Sequence, residues 1–526
     1  TLRDGQQTLG VQFSAAEKAE IALMLDDLGV DYIEGGWPGA NPTDSEFFER
    51  PPQTRARLTA FGMTKRAGRS AGNDEVLASV MNAGTAAVCL VGKTHDFHVT
   101  EALGITLDEN VQNIAESIAH ITASREAIFD AEHFFDGWKA NRDYALRCLI
   151  AARDAGARWI VLCDTNGGTL PAEIGAITAE VIAAGIEGAR LGIHTHDDTG
   201  TAVAGALAAV GAGARQVQGT LNGLGERCGN ANLTTLIANF ALKPEFAGLE
   251  IGTGPEALRG LSRISQRLDE ILNRIPERRA PYVGASAFAH KAGLHASAIL
   301  KNPATYEHVT PDLVGNERII PMSNQAGQSN LRARLAEAGI TAGSGDDLAA
   351  ILTDVKDRED QGYAYDAAQG SFELLARRHL GLLPRFFDVE RYRVIVERRR
   401  NAMGVQISVS EAVVAVRMGD QLVMSVSESH GDEGDDRGPV NALWRALAKD
   451  LGPYQGSIDA MHLADFRVRI TQGGTDAVTR VIIDSADTSG NRWSTVGVSA
   501  NIVDASFEAL IDAITWKLVH DQARPA

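Results

Sequence analysis

Length, composition and charge place this chain among multidomain globular proteins. It has 526 residues, of which 44% are hydrophobic and 22% charged, and this length predicts two to four domains. The formal net charge of −18 argues against sequence-independent binding to nucleic acid. Because no apolar run is long enough to span a bilayer and no secretory signal is recognised, we expect neither a membrane protein nor a secreted one.

The four cysteines are scattered along the sequence and form no CxxC pair. Cys89 and Cys163 lie inside the apolar runs AVCLV and WIVLC, which predicts buried thiols. Buried, unpaired thiols are typical of a reducing compartment, so a cytoplasmic location is expected.

Short apolar runs alternate with helical patterns over the first roughly 245 residues, which predicts a parallel α/β sheet. Strands are predicted near 30–37, 58–63, 86–91, 127–131, 158–164, 190–196 and 215–221, and helices near 14–28, 44–50, 73–83, 107–124, 139–155, 171–184, 199–212 and 230–242. Residues 1–4 open the chain abruptly and are interpreted as the end of a first strand whose start is truncated. Eight strand–helix units predict a closed (β/α)8 TIM barrel, with an open doubly wound sheet as the alternative.

Two further regions follow the predicted barrel domain of residues 1–250. Residues 251–390 are expected to form a helical linker subdomain, with a polar helix near 255–275 and the run FAHKAGLHASAILKN at 288–302. Residues 391–526 show three strand patterns and a helix, twice over, which predicts a duplicated α+β domain. The acidic loop at 427–439, between the two halves, is expected to be solvated.

The strongest local signal is the motif HTHDD at 194–198, at the end of the seventh predicted strand. Side chains two residues apart on a strand point to the same side, so His194 and His196 can present two imidazoles to one ion. Packed or surface histidines are the commoner explanation of such a pair. The position of His194 and His196 favours a functional pair, because a barrel has its active site at the carboxyl ends of its strands.

Barrel closure is expected to bring two further groups to the histidines. Asp4 ends the predicted first strand, and Asn230 follows the eighth in NGLGERCGN. One carboxylate, two imidazoles and one amide oxygen suit Zn²⁺, Mn²⁺ or Mg²⁺ with open positions for substrate oxygens. Taken singly, Asp4 could equally be a loop cap and Asn230 a helix N-cap. Their joint position favours a divalent metal site.

Three more polar residues lie at predicted strand ends. Arg3 adjoins Asp4 and could pair with a substrate carboxylate or a developing oxyanion. The Thr165 hydroxyl could hold a carboxylate, or simply belong to the turn before Asn166. Glu132 could serve as, or orient, a general base, or lie exposed on the surface.

These motifs resemble a known family. TLRDGQQ at 1–7, HTHDD at 194–198 and GERCGN at 225–230 are similar to the 2-isopropylmalate synthase and homocitrate synthase group of the DRE-TIM metallolyases, over essentially the whole chain. The resemblance implies a metal-dependent acyltransferase that condenses acetyl-CoA with a 2-oxo acid. EGGWPGANP at 34–42 and DAEHFFDG at 130–137 look most like the members of the group that use pyruvate, form (R)-citramalate and serve isoleucine biosynthesis.

The resemblance also assigns roles to residues. It implies that the metal ligands are Asp4, His194, His196 and Asn230, that Arg3 and Thr165 contact the oxo acid, and that the groups involved in deprotonating the acetyl methyl are Glu132 and His295, with Tyr306 approaching the site. His295 and Tyr306 would come from the partner subunit of a homodimer. The C-terminal region would be a regulatory domain that binds isoleucine or leucine.

Three alternatives stay open at this point. The same chemistry could act on a bulkier acid, as in 2-isopropylmalate or homocitrate synthesis. The same barrel could carry a lyase that cleaves a 3-hydroxyacyl-CoA, although a regulatory domain argues against it. A catalytically inactive amino-acid sensor would need a broken ligand set, whereas all four candidate ligands are present.

Overall fold

The computed structural model describes residues 1–322, 327–343, 347–400, 406–431, 438–472 and 477–525. The chain divides into two compact units. The first comprises Thr1–Phe288 and Val309–Glu317, and the second comprises Ala289–His308 and Arg318–Ala526.

The first unit, every residue of which is described, is built on a curled sheet of seven parallel strands. They are β1 (Tyr32–Gly36), β2 (Arg57–Met63), β3 (Ala87–Lys93), β4 (Glu126–Glu132), β5 (Trp159–Asp164), β6 (Leu191–Thr195) and β7 (Gln216–Gln218), and each pairs with its neighbour in chain order. This unbroken order is that of a TIM-barrel-type fold and differs from the reversed order of a doubly wound sheet. The predicted fold class is therefore confirmed.

The helices of the first unit connect and cover these strands. They are α1 (Ala15–Asp27), α2 (Pro42–Glu49), α3 (Glu75–Asn82), α4 (Asp96–His98), α5 (Leu107–Thr122), α6 (Phe134–Ala140), α7 (Arg142–Asp154), α8 (Pro171–Ala183), α9 (Ala202–Ala212), α10 (Leu233–Leu242), α11 (Pro255–Arg259) and α12 (Leu261–Ile271). Ser14 and Glu17 form the expected capping box of α1. One predicted helix, 139–155, is divided, because Asn141 leaves the helical conformation and caps α7 by accepting a hydrogen bond from Tyr144 N.

Residues 1–4 are not a strand, so the expectation of eight strands is wrong for the described residues. Asp4 has right-handed helical dihedral angles (φ −69°, ψ −42°) and leads into a 3-10 turn at Gly5–Gln7. The segment nevertheless lies beside the end of β7, because Leu221 N donates to Thr1 Oγ1 at 2.9 Å. The position expected for Asp4, between the first and last strands, is thus reached without a ladder of strand hydrogen bonds.

The core of the first unit sits inside the sheet and between the sheet and its helices. β5 and β6 are buried along their whole length, as expected for parallel strands with both faces covered. Ile160, Val161 and Leu162 of β5 are each 0% exposed. Since each such side chain contributes roughly 1.5–3 kcal/mol when buried, the strands hold the residues at their carboxyl ends in fixed positions.

The second unit contains two three-stranded antiparallel sheets among its described residues. Their strands are β8 (Asp388–Arg400), β9 (Gln406–Met418) and β10 (Gln421–Gly431), and β11 (Met461–Gln472), β12 (Val478–Asp487) and β13 (Arg492–Ser499). The helices are α13 (Gly293–Lys301), α14 (Gln328–Glu337), α15 (Leu348–Asp360), α16 (Gln369–His379), α17 (Pro439–Ala448), α18 (Gln455–Asp459) and α19 (Ile502–His520). Three strands and a helix thus occur twice, and α17 and α19 pack within one core. Residues 432–437 of the predicted acidic loop lie outside the described residues.

No helix among the described residues is both long and apolar enough to cross a bilayer. All four cysteines fall in described segments and are unpaired; Cys89, Cys148 and Cys163 are buried, and Cys228 is exposed. The predicted burial of Cys89 and Cys163 is confirmed.

Candidate metal-binding active site

Asp4, His194 and His196 meet at the carboxyl end of β6. One ligand atom from each lies within 4.8 Å of the other two. His194 Nε2 is 3.1 Å from Asp4 Oδ2, and the two imidazole rings have centroids 5.2 Å apart. All three residues are buried, with exposures of 7–8%. The structure thus brings together three of the four residues that the sequence proposes as metal ligands, although they are up to 192 residues apart in the chain (196 minus 4).

Mutual charge fixes the protonation of this cluster. Burial would raise the pKa of Asp4, but the Arg3 charge and the hydrogen bond from His194 outweigh it and hold that pKa well below its usual range. Burial would lower the pKa of His194, yet the hydrogen bond and charge of Asp4 raise it to about 9. For His196, burial and the neighbouring His194 charge lower the pKa to about 4. The cluster therefore offers a carboxylate, a neutral imidazole and an imidazole whose proton faces the carboxylate.

The fourth candidate ligand, Asn230, is held beside His196 by an isolated antiparallel bridge between the two residues. Its Nδ2 donates to Leu224 O at 3.1 Å, which leaves its amide oxygen as the atom suited to a cation. The glycines of GERCGN make this possible. A Cβ on Gly225 would collide with Asn230 Nδ2, and Gly229 has φ +96°, where a Cβ would collide with the Gly223 carbonyl.

The donor set fits a divalent cation. His196 Nδ1 is buried, and within the described part of the chain no hydrogen-bond partner reaches it. An unpaired buried nitrogen costs roughly 1–3 kcal/mol, a cost that an ion bound to that nitrogen would offset. Carboxylate oxygen and imidazole nitrogen together suit Zn²⁺, Mn²⁺ and Mg²⁺ to different degrees. The structure thus supplies the residues for an ion but does not choose among these three.

Arg3 lies against the same cluster. Its Nε donates to Glu34 Oε1 at 2.5 Å, its Nη1 is 3.7 Å from Asp4 Oδ1, and its guanidinium stacks 3.8 Å from the Phe61 ring centroid. Burial disfavours its charge, but the carboxylates of Glu34 and Asp4 raise the pKa of Arg3 above its ordinary value. A permanently charged, oriented guanidinium is suited to a carboxylate or an oxyanion.

Sequence reasoning missed Glu34, Asp130 and Gln218, which surround these groups. Gln218 Oε1 is 2.6 Å from His194 Nδ1, and Gln218 Nε2 donates to Asp130 Oδ1 at 2.9 Å. Burial, together with the Glu34 charge, raises the pKa of Asp130 to about 6. A signal was available for Asp130, because it lies two residues before Glu132 on one strand and so points to the same side. Gln218 gave none, since a glutamine inside the predicted strand at 215–221 is an ordinary polar position.

Glu132 and Thr165 lie at the ends of neighbouring strands, as their spacing predicts. Glu132 Oε2 is 2.6 Å from Lys93 Nζ, and both side chains are about one-quarter exposed (24% and 23%). Thr165 Oγ1 accepts a hydrogen bond from His133 N at 2.8 Å, and the Thr165 carbonyl accepts one from Arg227 at 2.7 Å. Both side chains are oriented by specific partners, and neither belongs to the three-residue cluster of Asp4.

His295 and Tyr306 belong to the second unit. Their rings stack with centroids 4.0 Å apart and an interplanar angle of 28°. Tyr306 is 43% exposed. Within their own unit the two residues therefore form one aromatic pair.

A cavity of about 1110 Å³ lies within the first unit, between β1 and β7. Arg3, Asp4, His194 and Asn230 are among its lining residues. The lining also includes the first residues of several strands, among them Tyr32, Arg57 and Trp159, so the cavity extends from the cluster toward the amino ends of the strands.

Comparison with known proteins identifies the family. The HMGL-like family model matches residues 1–258, the homocitrate synthase post-HMGL domain-like model matches 282–363, and the LeuA allosteric (dimerisation) domain model matches 366–518. The (R)-citramalate synthase of Aquifex aeolicus is 46% identical over 99% of this chain and 97% of its own length. That of Synechocystis is 45% identical over 98% and 95%, whereas the 2-isopropylmalate synthase of Pseudoalteromonas atlantica is 29% identical over 99% and 95%.

The barrel, the buried cluster and the LeuA domain together define an HMGL-like enzyme, a class that uses a divalent metal ion. The chain belongs to the (R)-citramalate synthase family.

Proposed function

We propose that this enzyme condenses acetyl-CoA with pyruvate and water to give (R)-citramalate and free CoA, as a step of isoleucine biosynthesis. The observation that carries the proposal is the buried meeting of Asp4, His194 and His196 in a chain that aligns from end to end with (R)-citramalate synthases. The chain is 46% identical to the (R)-citramalate synthase of Aquifex aeolicus but only 29% identical to the 2-isopropylmalate synthase of Pseudoalteromonas atlantica, which favours pyruvate over 2-oxoisovalerate as the substrate.

A divalent ion, Zn²⁺, Mn²⁺ or Mg²⁺, would be held by Asp4, His194, His196 and Asn230. When bound, it supplies Lewis-acid polarisation of the keto group and charge for the oxo-acid carboxylate. The paired Arg3 guanidinium, fixed by Glu34 and by stacking on Phe61, would bind the same acid and stabilise the developing alkoxide. Because the Arg3 guanidinium is already oriented before the substrate binds, little side-chain entropy is lost on binding.

Thr165 would bind the pyruvate carboxylate. Its oxygen already accepts from His133 N, so its hydroxyl hydrogen is available to donate to a substrate oxygen. Glu132, held by Lys93, would assist removal of a proton from the acetyl methyl group. The resulting enolate attacks the keto carbon of pyruvate, and water then cleaves the thioester to release CoA.

We propose that His295 and Tyr306 of the partner subunit complete the site of a homodimer. Support for a dimer comes from the second unit, whose edge strands carry alternating exposed apolar residues. These are Leu422, Met424 and Val426 on β10, and Phe466, Val468 and Ile470 on β11, with exposures of 38–63%. Exposed apolar rows of this kind on the outer strands of a sheet favour association.

Isoleucine, or alternatively leucine, is proposed as the effector of the C-terminal domain, which the LeuA match describes as allosteric. A cytoplasmic location stays a prediction from the free cysteines.

CoA release, measured with pyruvate, 2-oxoisovalerate and 2-oxoglutarate in parallel, tests the proposal. Pyruvate is expected to give the highest kcat/KM, and His196→Ala should abolish turnover while His462→Ala, an exposed histidine on β11, should leave it unchanged. Preference for 2-oxoisovalerate would overturn the substrate assignment in favour of 2-isopropylmalate synthesis. Cleavage of a 3-hydroxyacyl-CoA with no condensation would make the enzyme a lyase.

A further inference from the structure

A chain of hydrogen-bonded polar groups, from Asp130 through Gln218 to His194, crosses the interior of the barrel. Asp130 on β4 accepts a hydrogen bond from Gln218 Nε2 at 2.9 Å, and Gln218 Oε1 lies 2.6 Å from His194 Nδ1. Asp130 and His194 are 2% and 8% exposed, and Gln218 is partly buried. β4 and β7 are separated by two strands in the sheet, so the chain of bonds is formed across the interior and not between neighbours.

Strand register places the glutamine beside the histidine. Gln218 and His194 are Cα partners in the β6–β7 ladder, so their side chains leave the same level of the barrel. A three-residue strand has little apolar surface of its own, and both Gln216 and Gln218 are only partly buried. Packing therefore does not by itself account for the polar residue at position 218.

The direction of each hydrogen bond follows from the chemistry of the groups. An ionised carboxylate only accepts, so Gln218 must turn its NH₂ toward Asp130. Its carbonyl oxygen then faces His194 and only accepts, so His194 Nδ1 must carry a hydrogen. The nitrogen left for coordination is Nε2, which already points at Asp4 Oδ2 from 3.1 Å.

We propose that Gln218, anchored by Asp130, is a positioning residue that commits His194 to binding the divalent ion through Nε2. The inference rests on the proposed function, since it assumes that the cluster of Asp4 holds an ion. An acceptor oxygen on His194 Nδ1 orients the ring for coordination, whether that oxygen belongs to an amide or to a carboxylate.

Exchanging the carboxylate of residue 130 and the amide of residue 218 distinguishes the positioning of His194 from an effect of packing. Gln218→Met removes both hydrogen bonds at similar volume. The double variant Asp130→Asn with Gln218→Glu exchanges amide and carboxylate: residue 130 now donates, and residue 218 still accepts from His194 Nδ1. The exchange preserves size, net charge and the direction of the bond at the histidine.

Equilibrium binding of Mn²⁺ to the full-length protein, without substrates, is the measurement. Gln218→Met is expected to weaken binding by roughly 10- to 100-fold, and the swapped double variant to bind within about threefold of native. Thermal melts establish that each variant is folded. If Gln218→Met does not fold, the Mn²⁺ affinity of the double variant alone tests the inference. Native-like binding by folded Gln218→Met, or loss of binding in the folded double variant, would overturn the inference.

His196→Ala in the same titration distinguishes a failure of the inference from a failure of the proposed function. If His196→Ala loses Mn²⁺ and Gln218→Met does not, the ion site stands and only the positioning role is wrong. If His196→Ala binds as native does, the ion lies elsewhere, and both the inference and the proposed metal site fail.

Discussion

The backbone N–H of His133 donates a hydrogen bond to Thr165 Oγ1 at 2.8 Å, and it does so from a left-handed backbone conformation with φ 56° and ψ 34°. A residue other than glycine rarely adopts this conformation, and a β-branched one does so at a clear cost. The turn after β4 therefore fixes the rotamer of Thr165, the residue proposed to bind the pyruvate carboxylate.

Replacing His133 should reveal a backbone role. His133→Asn, which tolerates the left-handed region, is expected to keep KM for pyruvate within about threefold of native. His133→Val should lower kcat/KM for pyruvate by roughly 10- to 100-fold, the value of a lost hydrogen bond to a charged group. Steady-state kinetics on the two variants decides the matter. Equal losses in both would assign the effect to the imidazole, which stacks on His98 at 3.9 Å.

The ion pair between Lys93 and Glu132 should matter for chemistry more than for metal binding. Glu132→Gln is expected to lower kcat by roughly 10²- to 10⁴-fold, the range of a lost general acid or base, while Mn²⁺ affinity stays within about twofold. Lys93→Arg keeps the pair and serves as the control. A Glu132→Gln variant with near-native kcat would remove Glu132 from the proton transfer.

A buried ion pair in the barrel predicts a large effect on stability. Lys18 Nζ pairs with Asp44 and donates to Gly35 O at 3.1 Å, and both side chains are almost wholly buried, at 0% and 4% exposure. Lys18→Met leaves the Asp44 charge uncompensated and is expected to cost roughly 3–5 kcal/mol of unfolding free energy. Urea unfolding followed by tryptophan fluorescence measures this loss.

The matched control is the exposed pair of Arg385 and Asp388, with side-chain exposures of 81% and 42%. Breaking it with Arg385→Met should change stability by less than about 1 kcal/mol. Equal effects of the two substitutions would mean that burial does not govern these pairs.

Acid should destabilise the second unit through Asp487. This buried carboxylate accepts from Asn491 Nδ2 and from Lys517 Nζ, both at 2.9 Å, and these bonds hold its pKa well below its usual range. A folded-state pKa below the unfolded one gives stability that is present above about pH 4 and is lost as pH falls further. Asp487→Asn should therefore lower the melting temperature at pH 7 and flatten its decline below pH 4. The exposed Asp459→Asn should leave the native pH profile intact, and an unchanged slope in Asp487→Asn would contradict the assignment.

Strand periodicity predicted most of the barrel, because parallel strands covered on both sides must be apolar along their length. The seven strands from Tyr32 to Gln218 fall where the apolar runs place them. Residues 1–4 were wrongly interpreted as a strand, since four residues cannot distinguish a strand from a turn that leads into Gly5. The break at Asn141 was missed because a capping asparagine inside an amphipathic pattern looks like an ordinary polar position.

The site was predictable where a motif stood at the end of a strand. His194 and His196 share one side of a strand, and topology alone brings Asp4 to them. Glu34, Asp130 and Gln218 reach the cluster through contacts across the interior of the barrel, which periodicity does not encode. The cavity between β1 and β7 likewise depends on packing between residues that are remote in sequence.

Anomalous diffraction from crystals of the full-length protein grown with Zn²⁺ and pyruvate tests the central claim most directly. One strong anomalous peak is predicted within about 2.0–2.2 Å of Asp4 Oδ2, His194 Nε2 and a nitrogen of His196, with the pyruvate carboxylate and keto oxygens beside it. A peak elsewhere in the barrel, with Asp4 and His194 still paired directly to each other, would contradict it.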